Sequence, residues 1–150
     1  MKGSFETIIV AKEGDLAWVT LNRPDVANAF NTRMAEELLE VFSEFVSGAR
    51  KARCIILTGA GERAFCAGGD LKQRHGMTDE EWYQQHVVFE DLARALMDCP
   101  VPILGAINGA AFGGGTELTL ACDFAYAVNH ARFALTETTL GIMPGMAGTQ

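Results

Sequence analysis

Apolar and polar residues alternate over the first stretch of the chain. Ile8 and Val10 are followed by Leu16, Trp18 and Thr20, with Glu13-Gly14-Asp15 between them. A period of two around such a tripeptide predicts two strands joined by a tight turn. Arg23-Pro24-Asp25 ends the second strand, because proline has no N–H to give to a ladder. The period then lengthens. Met34, Leu38, Phe42 and Phe45 recur at helical spacing until Gly48, and Asn31 stands where an N-cap belongs. Cys54-Ile55-Ile56-Leu57 is a short continuous apolar run closed by Thr58-Gly59, as expected of a buried parallel strand.

A second helix is predicted from Thr78, with Glu81 completing a capping box. It should turn Trp82, Phe89, Leu92 and Leu96 inward and stop before Pro100. Ile103 to Ile107 reads as another buried strand, followed by Asn108-Gly109. Gly113-Gly114-Gly115 leads into a helix through Glu117, Leu118 and Leu120, and Phe124 to Val128 forms a further strand. Strands alternating with helices place the chain in the α/β class. No internal repeat, linker or low-complexity segment interrupts the 150 residues, a length that suits one domain with its own core.

Composition narrows the functional classes. Apolar residues make up 49% and charged residues 21%, an ordinary globular balance. The net charge of −7 disfavours nucleic-acid binding, which calls for a basic excess. Arg50, Lys51, Arg53, Arg63, Lys72 and Arg74 nevertheless fall in one stretch. They are either solvated surface charge or a small cationic rim for a phosphorylated ligand. No long apolar run suggests a membrane span, and MKGSFETIIV lacks the apolar core and cleavage site of a signal peptide. A cytoplasmic location, with no membrane partner, is the expectation.

Cys54, Cys66, Cys99 and Cys122 form no C-x-x-C pair, and His75, His86 and His130 are scattered, so no metal site is expected. Cys54 and Cys122 read as small core residues.

Two glycine-rich loops invite a ligand. Gly59-Ala60-Gly61-Glu62-Arg63-Ala64 fits the loose dinucleotide pattern G-x-G-x-x-A, with an acidic residue about 20 positions on. Such a loop must open directly into a helix whose N-terminus meets the pyrophosphate. Here Phe65-Cys66-Ala67-Gly68-Gly69 should continue as loop, so nicotinamide binding is not expected. Gly113-Gly114-Gly115 can bring bare N–H groups up to a developing oxyanion, with Glu117 one turn along the same helical face. Alternatively the glycines serve close packing and Glu117 is solvated. Spacing alone leaves both readings open.

Six segments in order carry a resemblance. They are Leu21-Asn22-Arg23-Pro24, Asn28-Ala29, Ala64-Phe65-Cys66-Ala67-Gly68-Gly69-Asp70-Leu71-Lys72, Ala106-Ile107-Asn108-Gly109, Gly113-Gly114-Gly115-Thr116-Glu117-Leu118 and Leu140-Gly141-Ile142-Met143-Pro144-Gly145. Together they resemble the crotonase (enoyl-CoA hydratase/isomerase) superfamily, over essentially the whole chain. The resemblance implies a crotonase-type (ClpP-like) spiral of repeated ββα units. It implies an oxyanion hole from the N–H groups of Gly69 and Gly114. Ala29, Ala67, Asp70 and Leu71 would line the coenzyme A groove, with Lys72 near it. Glu117 and Glu137 match the two catalytic carboxylates of the hydratase branch, whereas several other branches keep one or neither.

The implied reaction is hydration of an enoyl-CoA thioester, with coenzyme A entering as part of the substrate and no other cofactor. Enoyl-CoA isomerisation and 3-methylglutaconyl-CoA hydration are the alternatives, and an RNA-binding homologue is the alternative from another class. Gly69 stands where hydratases often have Ala, Thr136 where Pro is frequent, and Met146-Ala147 in place of a more glycine-rich pair. These last two leave acyl-chain preference open. Family members continue into a C-terminal helical region that completes the acyl pocket and trimer contacts. The chain ends at Gly148-Thr149-Gln150, so it is expected to be the N-terminal catalytic part of a homotrimer or dimer of trimers. Cys66 has no spaced His or Asp to act as its base and is expected to pack a loop.

Overall fold

The computed structural model describes residues 5–146 and 148–149. The expected hairpin forms from β1 (Ile8–Glu13) and β2 (Leu16–Leu21), antiparallel around Gly14 at φ +58°. Its core face on β2 is Ala17, Val19 and Leu21; Leu16, Trp18 and Thr20 lie on the half-covered face. Trp18 Nε1 donates to Glu13 at 3.1 Å, which holds the indole at the rim. A 3₁₀ turn at Pro24–Val26 follows the strand. Helix α1 (Thr32–Val46) is capped by Asn31, whose side chain accepts from the Met34 N–H. Its buried face includes Glu37, to which the chain's first described segment is tied: Glu37 accepts from the N–H groups of Glu6 and Thr7 and from Thr7 Oγ1.

Strand β3 (Cys54–Gly59) runs parallel to β2, as its apolar run predicted. Then comes the first departure. Phe65 and Cys66 are not loop but part of a short strand, β4 (Ala64–Cys66), with all three residues buried. It pairs with β6 (Ala110–Phe112), and β6 with β8 (Phe133–Ala134). Strands this short contain too little repeat to register as a period. Strand β4, and not a helix, follows the loop at 60–63. Helix α2 (Leu71–Arg74) and helix α3 (Asp79–Met97) follow, the latter with the Thr78/Glu81 capping box in place.

Beyond α3, β5 (Ile103–Ile107) leads to β6, then α4 (Gly114–Leu120), β7 (Phe124–Ala127), β8 and a 3₁₀ turn at Thr136–Leu140. The larger sheet has the order β1-β2-β3-β5-β7 and the smaller one β4-β6-β8. From β3 onward each circuit lays one strand in the large sheet, one in the small sheet, and then a helical segment; the first unit, β1-β2-α1, has both strands in the large sheet. That is the ββα spiral, repeated in structure without a repeat in sequence.

The core lies between the large sheet and the α1–α3 pair, where Phe30 and Phe89 meet with ring centroids 4.9 Å apart. Phe89, Leu92 and Leu96 face inward as expected, but Trp82 does not: it is 46% exposed. The first turns of α3 overhang a cavity instead of the core, and Trp82 stacks on His86 at 3.7 Å there. Cysteine placement also departs from expectation. Cys66 is fully buried, while Cys54 and Cys122 are only partly so.

Candidate active site

The geometry begins at Asn28, held at φ +54°. Its side chain donates to the carbonyls of Ala60 and Ala64, both at 3.0 Å, and accepts from the Arg23 N–H at 2.9 Å. The turn after β2 is thereby clamped to the loop after β3. Residues 67–70 then lie parallel to 27–30: Ala67 N–H bonds Ala27 O, Phe30 N–H bonds Gly68 O, and Asp70 N–H bonds Phe30 O. Gly68 sits at φ +94°, and a Cβ there would come within 2.8 Å of Phe112 O, so only glycine fits. This alternation passes over Gly69. Among the described residues its N–H has no backbone acceptor.

Asp70 caps α2 through the Gln73 N–H and pairs with Arg23 at 2.9 Å. Burial works to raise its pKa, but the Arg23 hydrogen bond and the Gln73 N–H outweigh it, so the carboxyl stays below its ordinary value. Ala29, Ala67, Asp70, Leu71 and Lys72 all line one open groove of about 730 Å³, together with Gly69, Arg23 and Arg63. The basic stretch is therefore divided by the fold. Arg63 and Lys72 line this groove, Arg50 is engaged by Glu44 at 2.7 Å, and Arg74 faces elsewhere.

A second cavity, of about 850 Å³, lies on the other side of Gly69. Gly114, Glu117 and Glu137 line it together with Gly69. Thr116 fixes the start of α4 by donating to Ala111 O at 2.7 Å and Ala134 O at 3.0 Å. A Cβ on Gly115 would collide with the Cys66 carbonyl, so glycine allows α4 to approach β4 closely. The triple glycine divides its work: Gly115 serves packing, while Gly114 lines the cavity and its N–H has no backbone acceptor among the described residues.

Glu117 is 3% exposed, not solvated. Its Oε1 accepts from the Met146 N–H at 2.6 Å and the Gly148 N–H at 2.9 Å. Burial pushes its pKa up; the Met146 and Gly148 N–H groups oppose that, and the neighbouring charge of Glu137 adds to it. Glu137 enters from the 3₁₀ turn at Thr136–Leu140. Its Oε2 is buried without a hydrogen-bond partner among the described residues, and a Cβ on Gly113 would stand 2.8 Å from its Oε1. A carboxylate oxygen left so is costly unless something outside the protein bonds it.

Two further residues shape the site. Arg74 lines the second cavity, a position that its membership of a basic stretch could not reveal. Cys66 is fully buried, and burial pushes its thiol up to about 12, away from the thiolate that a nucleophile needs. No group of three or more His, Cys, Asp and Glu among the described residues could hold a metal ion. No helix among them is long and apolar enough to cross a membrane.

A ββα spiral that brings two unclaimed N–H groups and two carboxylates to one cavity is the scaffold of an acyl-thioester enzyme class. The family model for enoyl-CoA hydratase/isomerase matches residues 11–150, and the chain belongs to that family, the crotonases. Short-chain-enoyl-CoA hydratase of Clostridium acetobutylicum is 38% identical over 143 residues, covering 95% of this chain and 54% of that protein. Crotonyl-CoA hydratase of Syntrophomonas wolfei is 34% identical, covering 98% and 56%. The crystal structure of enoyl-CoA hydratase from Bacillus anthracis superposes with a TM-score of 0.90 at 43% identity, covering 97% of this chain and 56% of that one. The chain therefore spans just over half the length of these three relatives.

Proposed function

We propose that the protein hydrates an enoyl-CoA thioester, with Gly69 and Gly114 as oxyanion donors and Glu117 and Glu137 as the acid–base pair. The observation that carries this reading is the convergence of all four on one cavity, with both N–H groups unclaimed. Coenzyme A would lie in the groove of Ala29, Ala67, Asp70, Leu71 and Lys72, where Arg63 and Lys72 offer charge to its phosphates. Because Gly69 lines both spaces, the thioester would sit where they meet. Water then adds at C3 as one carboxylate takes its proton. The π pair moves toward the thioester oxygen, where the two N–H groups stabilise the developing charge. The other carboxyl returns a proton to C2. Burial and the neighbouring charge of Glu137 raise the Glu117 pKa, which suits Glu117 to proton transfer.

We assign no metal or redox cofactor, no nucleic-acid partner and no membrane partner, and we place the enzyme in the cytoplasm. Leu120, Phe124, Tyr126 and Met143, each between 49% and 71% exposed, support a homotrimer or dimer of trimers that covers them.

Crotonyl-CoA hydration followed by absorbance is the direct test. Glu117→Gln and Glu137→Gln should each lower kcat by about 10²-fold or more, and their effects should be far from additive. At least one of them should still exchange the C2 proton with deuterated water. Near wild-type hydration by either variant would move the assignment to a one-glutamate isomerase.

A further inference from the structure

Arg74 is the one Arg or Lys among the described residues lining the second cavity, and hydration of a plain alkyl chain has no use for it. Its surroundings are built. Arg74 Nε donates to Gln85 Oε1 at 3.0 Å. Gln85 is 2% exposed, and its amide donates to Thr32 Oγ1 at 2.7 Å and Gln73 Oε1 at 3.2 Å. Gln73 Oε1 in turn accepts from the Thr32 N–H at 3.0 Å. The guanidinium also lies 5.6 Å over the Phe89 ring. One nitrogen is thus fixed by a buried polar network and one face by an aromatic ring, which orients the fork with little freedom left to lose.

Its two amino groups are not used. Among the described residues neither forms a hydrogen bond, and no carboxylate forms an ion pair with Arg74. Glu137 and Glu117 attract it across the cavity without closing on it. A half-buried fork with free N–H groups is unfavourable until an anion meets it, and a carboxylate fits it in two-point fashion. Position decides which anion. Arg74 lines the cavity of Gly114, Glu117 and Glu137, with its Cζ 3.4 Å from where a Cβ on Gly69 would stand, whereas Arg63 and Lys72 line the groove. Phosphates of coenzyme A in that groove are therefore served by other cations.

We propose that Arg74 selects enoyl thioesters whose acyl chain itself carries a carboxylate, which its free amino groups receive inside the cavity. This rests on the hydratase reading for the direction in which the thioester lies. An alkyl chain in the same place would strip water from the guanidinium and return nothing, so neutral substrates are disfavoured as carboxylated ones are favoured.

The test compares glutaconyl-CoA with its neutral isostere, in which two methyl groups replace the carboxylate oxygens. Wild-type kcat/KM should favour glutaconyl-CoA by about tenfold to a hundredfold, the span of one charge-assisted hydrogen bond. Arg74→Met should abolish or invert that preference, mainly through KM, while turnover of the neutral isostere rises. Arg74→Lys should recover part of it. Arg74→Gln, which can still donate to Gln85, serves if Arg74→Met does not fold. Equal use of the two thioesters by the wild type, or a preference that survives in Arg74→Met or Arg74→Gln, would overturn the proposal. If neither thioester is hydrated, the hydratase reading fails on its own. Calorimetric affinities of glutaryl-CoA and its saturated neutral isostere then decide the role of Arg74: a gap that Arg74→Met removes supports it, and no gap refutes it.

Discussion

Two buried glutamates, one at the β1–α1 corner and one in the cavity, receive opposite treatment from the same fold. Glu37 is 1% exposed and Glu117 is 3% exposed, so burial penalises the charge of each. Around Glu37 the penalty is outweighed. Glu6 N–H, Thr7 N–H and Thr7 Oγ1 donate at 2.7, 2.8 and 2.6 Å, and Arg33 lies 3.0 Å away. Its pKa is held below the ordinary value although burial alone would raise it. Glu117 receives two N–H groups on one oxygen and faces a second carboxylate, and its pKa is raised. A carboxyl that ties a structure together is thus surrounded by donors. One offered a partner of its own charge is left able to change protonation, which suits proton transfer.

The contrast can be broken most forcefully at the corner. Glu37→Ala should cost about 2–4 kcal/mol of stability, because it strands the Thr7 hydroxyl and two N–H groups, yet leave kcat near wild type. A urea titration and a hydration assay on the same preparation check this. A large loss of kcat with little loss of stability would put Glu37 on the wrong side of the comparison.

Next in size is the dependence on pH, which should differ in sign. The contribution of Glu37 is complete above its unfolded value of about 4.3 and disappears as pH falls through the lower folded value. The Tm deficit of Glu37→Gln should therefore shrink toward acid. Glu117 keeps its proton more readily in the fold, so its contribution is complete below about 4.3 and is lost as pH rises through the higher folded value. Glu117→Gln should then have a higher Tm than wild type near neutrality, with the gap closing on acidification. Parallel Tm–pH profiles for the two variants would erase the distinction.

The smallest effect lies at Asp70, an intermediate case with one cation and a helix cap. Asp70→Asn keeps an acceptor for the Gln73 N–H but loses the charge facing Arg23, and should cost about 0.5–1 kcal/mol. Thermal unfolding measures it. A loss as large as that of Glu37→Ala would mean that charge pairing, and not the number of donors, sets the scale.

Much of the framework was legible in the sequence because its signals are local. The Asn31 cap, the Thr78/Glu81 box and the Gly14 turn each involve neighbours a few residues apart. Strands β4, β6 and β8 were not legible: two or three residues carry no period, and their pairing joins Ala64 to Ala110 and Ala111 to Phe133. The same limit hid Arg74. Six cations within one stretch look alike until the fold sends Arg63 and Lys72 to the groove and Arg74 to the cavity. The spacing of Gly114 and Glu117 was readable within one helix. That Glu117 would be held by Met146 and Gly148 depends on a return of the chain that no local pattern announces.

Gly113 shows how such a site responds to heritable variation. It has no functional group, it sits at φ +51°, and its missing Cβ leaves room for Glu137 Oε1, which would otherwise lie 2.8 Å away. Every single-base missense change in a glycine codon adds at least a methyl group. Each such allele would displace the Glu137 carboxylate without altering the Glu137 codon, so a silent-looking backbone position carries the genetic risk of its neighbour.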